Sequence, residues 1–246
     1  MPVRKQAPAP KIQKQRNAAP ESAGSPQPPE PVGSATLEEI FRRLRAANPE
    51  PRGELEHADP YTLLVAVVLS AQSTDKGVNQ ATRELFKAAD TPEKMLALGE
   101  ERLRGYIRTV NFHPTKARNV LALSKILVEE HGGVVPPARA VLESFPGVGR
   151  KSASVVLNIA FGEPTIAVDT HIFRVSNRIP LVVTKTADDT QVALEAVVPE
   201  DFKLHAHHWL ILHGRYVCKA RKPECWRCPI ADLCRYEPKT PALVAG

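Results

Sequence analysis

From Ser34 onward one pattern limits what this chain can fold into: apolar residues recur at helical spacing, and no stretch alternates as a half-buried strand does. Leu37, Ile40, Phe41 and Leu44 fall at i, i+3, i+4 and i+7, one face of a helix that Ser34 or Thr36 can cap. The run Leu63–Leu69 is wholly apolar and rich in β-branched residues, a composition that also suits a strand. However, Asp59-Pro60 ahead of it reads as an N-cap followed by proline at the first helical position, and the segment runs unbroken to Gln72, which favours a buried helix. Further helices are predicted at about 75–88, 92–98, 100–109, 114–131, 137–145, 150–161, 170–178, 187–196 and 203–217. Gly, Pro and Asp/Thr punctuate them, with no Asn-Gly hairpin and no fixed-period repeat. The expected class is all-α, with about ten helices.

At about 150 residues per domain, 246 residues make one large domain or two small ones, enough to bury a sizeable core. The longest apolar run has 7 residues, far short of the ~20 that cross a bilayer. The basic N-terminus lacks the apolar stretch of a signal peptide, so the cytoplasm is the expected compartment. Residues 1–33 hold 8 of the 23 prolines and neither leucine nor an aromatic residue, the composition of a disordered tail. Charge is uneven: five Lys/Arg against two Asp/Glu in 1–33, 20 against 22 in 34–202, and eight against three in 203–246. An excess at both ends suits an anionic partner, nucleic acid or membrane surface; the alternative is a solvated basic face without a partner.

The first motif with chemical content is Leu142-Glu143-Ser144-Phe145-Pro146-Gly147-Val148-Gly149-Arg150-Lys151-Ser152-Ala153. One helix ends at a proline, two glycines make a tight hairpin, and a second helix starts near Arg150. Gly147 and Gly149 permit positive φ and close approach of another backbone. The hairpin amides and the following helix N-terminus converge on one spot and suit a phosphate, gripping a DNA strand without reading its sequence. A plain packing corner between two helices is the alternative. Lys151 stands in the first helical turn, where the dipole is already positive and Asp or Glu would stabilise. That placement suits a lysine that must be neutral to act as a nucleophile. Its ordinary pKa of about 10.4 leaves roughly 0.1% free amine near neutrality. The dipole contributes less than one pKa unit, so desolvation and Arg150 must supply the rest. Otherwise Lys151 binds phosphate as a point charge.

In Thr165-Ile166-Ala167-Val168-Asp169-Thr170-His171-Ile172-Phe173-Arg174, Asp169 reads as an N-cap. A carboxylate can cap a helix and still turn one oxygen toward a cleft. Lysine and carboxylate are the minimum pair for displacing a base at a sugar C1′, where positive charge develops.

Four cysteines follow as Cys218-x6-Cys225-x2-Cys228-x5-Cys234. They are too few for a disulfide scaffold, and their clustering points to a metal site in a reducing compartment. Zn²⁺ and a [4Fe–4S] cluster both fit the spacing, and His205, His207, His208 and His213 just upstream keep a mixed Cys/His zinc site open. Lys219, Arg221 and Lys222 lie on the loop between the first two cysteines and form a second candidate phosphate clamp.

Taken together, LSAQSTD (Leu69–Asp75), FPGVGRKSA (Phe145–Ala153), TIAVDTHIFRVSNR (Thr165–Arg178), HHWLILHGRYVC (His207–Cys218) and the cysteine spacing resemble the endonuclease III family of DNA glycosylases, over about residues 36 to 238. The resemblance implies two helical domains flanking a DNA-binding cleft: 54–163, six helices with a helix-hairpin-helix, and 34–53 joined to 164–240, which carries the cluster. It selects a [4Fe–4S] cluster on Cys218, Cys225, Cys228 and Cys234 over zinc. It places Lys151 as the Schiff-base lysine and Asp169 as its partner. Gln72 falls where the family fills the gap left by a flipped base, and Glu143 and His171 sit in motifs that approach the pocket. Gly147, Gly149 and Arg150 fall in the strand-gripping hairpin. The implied activity is removal of oxidised pyrimidines from double-stranded DNA and cleavage 3′ to the abasic site, by a monomer at the bacterial nucleoid. The adenine-specific mismatch branch resembles this chain less at Lys151. One stretch departs from the family: a glycine and a leucine-like residue are usual where this chain has Asn111 and Phe112, and Pro114 follows. Phe112 would then be the wedge opposite the flipped base, on a stiffened loop. The rival classes are a non-catalytic helix-hairpin-helix protein and an iron–sulfur redox protein, neither of which has a use for Lys151 paired with Asp169.

Overall fold

The computed structural model describes residues 29–242. Among them stand eleven α-helices: α1 Ser34–Ala47, α2 Pro60–Ser70, α3 Asp75–Ala88, α4 Pro92–Leu98, α5 Glu100–Tyr106, α6 His113–His131, α7 Arg139–Ser144, α8 Arg150–Phe161, α9 Thr170–Arg178, α10 Ala187–Val197 and α11 Glu200–Tyr216. No strand occurs among the described residues, and a single 3₁₀ turn spans Cys225–Arg227.

Side-chain caps set five of the eleven helix starts. Asp59 closes a capping box on α2: its Oδ1 accepts from the Thr62 N–H at 2.8 Å, and the Thr62 hydroxyl accepts from the Asp59 N–H at 3.0 Å. Thr74, Thr91 and Thr186 cap α3, α4 and α10 through their hydroxyls. The expected cap of α1 by Ser34 or Thr36 is not formed; the helix begins at Ser34 with Gly33 as N-cap and no side-chain bond. Burial of Leu37, Ile40, Phe41 and Leu44 is therefore what holds α1. Helix α5 ends three residues sooner than periodicity suggests, and α11 starts three sooner, at Glu200, where Glu200 and Asp201 oppose the dipole of its first turn.

Buried apolar side chains form two cores. The first runs from Tyr61 to Leu157 and encloses α2, whose Leu63–Leu69 stretch is buried on every side. Each large side chain there contributes about 1.5–3 kcal/mol of burial free energy. The second joins Val32 and α1 to residues between Ile166 and Ile230. Its centre is aromatic: Phe41 stacks on Phe202 at 5.8 Å and Trp209 closes on both. The expected tail lies mostly outside the described residues. Its last part is not loose, because Val32 is buried and donates to the Pro180 carbonyl at 2.9 Å, and Arg235 donates to the Glu30 carbonyl at 2.8 Å.

Candidate active site

The hairpin between α7 and α8 presents the open end of a helix. The Val148 N–H bonds to the Phe145 carbonyl at 3.0 Å, and Phe145 and Val148 bury their side chains, leaving Gly147, Gly149 and Arg150 exposed. Gly147 has φ +81°, and a Cβ there would meet Asn119 Nδ2 at 2.7 Å, so only glycine fits. Gly149 differs from expectation: its φ is −98° and nothing lies near where its Cβ would be. Its bareness serves approach from outside, not backbone conformation. No side chain caps α8 and no acid stands in its first turn, so its first N–H groups stay open beside Lys151, the second residue of the helix.

Asp169 faces this end from the start of α9. Its Oδ1 accepts both cap bonds, from the His171 N–H at 2.9 Å and the Ile172 N–H at 2.8 Å, and Oδ2 takes no part in capping. Lys151 and Asp169 line one open cleft of about 550 Å³, shared with Gln72, Asp75, His171 and Arg215. Lys151 also lines an adjoining inner cavity walled by His207 and His208. His207 Nδ1 lies 2.8 Å from the Ala167 carbonyl; a carbonyl only accepts, so the ring proton sits on Nδ1. Burial pushes the His207 pKa down to about 4 and that of His208 down to about 3, so both rings are neutral near pH 7.

Glu143 is not brought to the cleft. It is exposed on α7, 3.8 Å from Arg139. His171 does line the cleft, with its Nδ1 3.3 Å from Arg174 Nη2. Gln72 borders both cavities. Phe112 is 63% exposed and so does not pack beneath its loop. Gln72 (φ +55°) and Phe112 (φ +57°) are the two non-glycine residues with left-handed backbones among those described, each at a cost of about 1–3 kcal/mol.

The four cysteines gather where α11 ends. Cys218 is buried, the others are half-buried, and none is in a disulfide. Burial pushes the Cys228 thiol up to about 11 and raises Cys234 as well, and in each case the neighbouring cysteines add to the rise. Four thiolates packed together need a strong positive centre. Arg178 donates to Cys218 Sγ at 3.6 Å and the Tyr236 N–H to Cys234 Sγ at 3.5 Å, the kind of contact that cluster sulfurs accept. Four cysteine thiols on one short segment, two of them receiving N–H donors, are a donor set that fits a [4Fe–4S] cluster.

Helix α9 ties this loop to the cleft: its N-cap is Asp169, while Arg178 donates to the carbonyls of Lys219 (2.8 Å) and Ala220 (2.9 Å) and Arg174 to that of Gly214 (2.8 Å). Of the three loop cations, Lys219 is engaged by Glu224 at 2.6 Å, whereas Arg221 and Lys222 stand exposed.

Two side chains not expected at the cleft complete its lining: Arg215, and His207, which the sequence offered only as a candidate zinc ligand. The signal for both at the cleft was their place in the HHWLILHGRYVC motif.

The arrangement of an open hairpin amide nest beside a lysine defines a class that comparison with known proteins makes explicit: residues 65–200 match the HhH-GPD superfamily of base excision DNA repair proteins, and residues 218–234 match the iron–sulfur binding domain of endonuclease III. Endonuclease III of Treponema pallidum (strain Nichols) is 56% identical over 203 residues, 82% of this chain and 96% of the relative. That of Escherichia coli (strain K12) is 54% identical over 201 residues, 82% and 95%. Among solved structures, a trapped endonuclease III–DNA covalent intermediate and a non-covalent endonuclease III–DNA complex each match with a TM-score of 0.78 at 39% identity, over 83% of this chain and 96% of theirs. The chain belongs to the endonuclease III family, DNA glycosylases with AP lyase activity in base excision repair, and its cofactor is a [4Fe–4S] cluster.

Proposed function

We propose that this chain removes oxidised pyrimidines from double-stranded DNA and then cleaves the strand 3′ to the abasic site by β-elimination, through an imine on Lys151. The observation that carries this is the meeting of Lys151 and Asp169, from the starts of two different helices, in one cleft. The damaged nucleotide leaves the stack and enters the cleft. Lys151 Nζ attacks C1′ as the bond from C1′ to the base breaks and the base leaves with a proton; the sugar ring then opens at C1′–O4′, which takes up a proton, to give the imine, and loss of a C2′ proton expels the 3′ phosphate. Asp169, with Oδ1 held by the helix, supports deprotonation and the developing cation through Oδ2. The amides around Gly147, Gly149 and Arg150 hold a backbone phosphate, Gln72 fills the vacated space, and Phe112 wedges opposite. Cys218, Cys225, Cys228 and Cys234 hold the cluster, which when bound supplies a rigid anchor for the loop carrying Arg221 and Lys222. A covalent endonuclease III–DNA intermediate among the similar structures supports the imine.

The two cores support a domain of 54–163 and a second of 34–53 with 164–240. The proposed setting is that of a cytoplasmic, nucleoid-associated monomer. No described helix is long and apolar enough to cross a membrane.

Borohydride trapping on an abasic-site duplex tests the reading. The wild-type protein becomes covalently bound to DNA, and Lys151→Ala binds the duplex without becoming trapped. An adduct on Lys151→Ala removes the assignment.

A further inference from the structure

We infer that Lys116 is a positioning residue that locks Gln72 and Phe112 into one two-pronged unit, so that both enter a duplex together. The inference rests on the base-flipping reading above and adds a device to it.

The two prongs stand on separate loops, Gln72 between α2 and α3 and Phe112 between α5 and α6, both exposed and both left-handed. Lys116 lies in the first turns of α6 and is buried to 5% exposure. Its ammonium donates to the carbonyls of Leu69 (2.8 Å) and Ala71 (2.6 Å) and to the Ser73 hydroxyl (3.1 Å), so its three donors bracket Gln72. Its backbone N–H donates to the Phe112 carbonyl at 3.1 Å. One residue is thus bonded by its side chain to the first prong's loop and by its main chain to the second prong. Asn111 adds a parallel tie, with Nδ2 on the Gln72 carbonyl at 2.6 Å and its N–H on Ser73 Oγ at 3.2 Å.

A stabilising C-cap for α2 does not require this arrangement. A water or a glycine satisfies the last carbonyls of a helix without burying a lysine. Burial penalises the charged amine, lowering its pKa, and its bonds go to neutral oxygens only. What the lysine adds is stiffness between two points that meet resistance at once when bases are unstacked. Without it each loop can relax toward ordinary backbone angles, and the tips leave register.

The test uses the cluster-loaded full chain and two DNA probes: a duplex containing thymine glycol, and a single strand containing one abasic site, where nothing needs to be flipped. Lys116→Met is expected to slow single-turnover base release from the duplex about thirtyfold, equal to about 2 kcal/mol, while lyase activity on the single strand stays within about threefold. Lys116→Arg restores part of the duplex activity. A 2-aminopurine placed next to the lesion brightens on binding wild type and stays dim with Lys116→Met. If Lys116→Met does not fold, Asn111→Ala, an exposed change, decides by the same split between probes. Equal loss on both probes by the variant that folds, or no loss on either, overturns the inference. A wild-type protein that fails to release thymine glycol overturns the glycosylase reading instead.

Discussion

Arg215 Nη1 donates to Asp75 Oδ2 at 2.6 Å, fastening α11 of the second core to the first residue of α3 in the first. The same guanidinium pairs with Glu54, whose other oxygen takes the Tyr216 hydroxyl. Asp75 and Arg215 both line the cleft, so the pair governs how the walls around Lys151 stand. Arg215→Met leaves two half-buried carboxylates without their cation. Expected is a loss of about 2 kcal/mol and a fall of about 4–8 °C in Tm. An unchanged melting curve would show that the pair does not hold the walls.

Asp169→Asn keeps an oxygen where Oδ1 accepts the two cap bonds and removes the carboxylate charge at Oδ2. Stability should be retained, since Asn caps as well as Asp does. Single-turnover base release should slow by about 10²–10⁴. Comparing melting and rate in one preparation separates the two roles; a variant that melts early and keeps its rate contradicts the assignment.

Arg221→Ala with Lys222→Ala should weaken binding to damaged and undamaged duplexes alike. The slope of log affinity against log salt should then fall by nearly two units. Lys219→Ala should change the slope much less, because Glu224 already holds that ammonium. Salt titrations of the wild type and both variants decide; equal slopes in all three take the loop out of the interface.

Acid should destabilise the protein through its buried histidines. The folded pKa of His208 is held at about 3 by burial, and its Nδ1 has no partner. Below the unfolded pKa of about 6.5 the unfolded chain therefore binds a proton that the fold refuses, and stability drops as pH falls. His208→Phe should shrink the stability lost between pH 6.5 and 5 by up to about 2 kcal/mol. The check is denaturant unfolding at both pH values, where an undiminished loss rules the histidine out.

The elements that local chemistry determines were legible in the sequence. Asp59-Pro60 and Asp169 act on N–H groups two or three residues away, so their caps follow from neighbours alone. The cysteine spacing was equally legible as a metal site, but the choice between zinc and cluster needed the resemblance and then the match of residues 218–234 to the iron–sulfur binding domain of endonuclease III. Local signals failed at α1, where the Ser34 and Thr36 hydroxyls were available and burial made them unnecessary. They failed again at Gly149, where glycine serves an open face and not a left-handed turn.

The sequence alone determined an all-helical chain, a hairpin followed by a lysine, an aspartate at a helix start and four clustered cysteines, because each depends on residues within a turn or two of one another. Only the tertiary structure decided that Lys151 and Asp169 share a cleft, that Glu143 does not, that Arg215 bridges to Asp75, and that Lys116 reaches Leu69 and Ala71. These pairings join residues far apart in the chain, and periodicity carries no information about which helix faces which. Packing of the two cores sets those distances. Burial then gives Lys116 its partners and leaves His207 and His208 neutral near pH 7, which no local reading supplies.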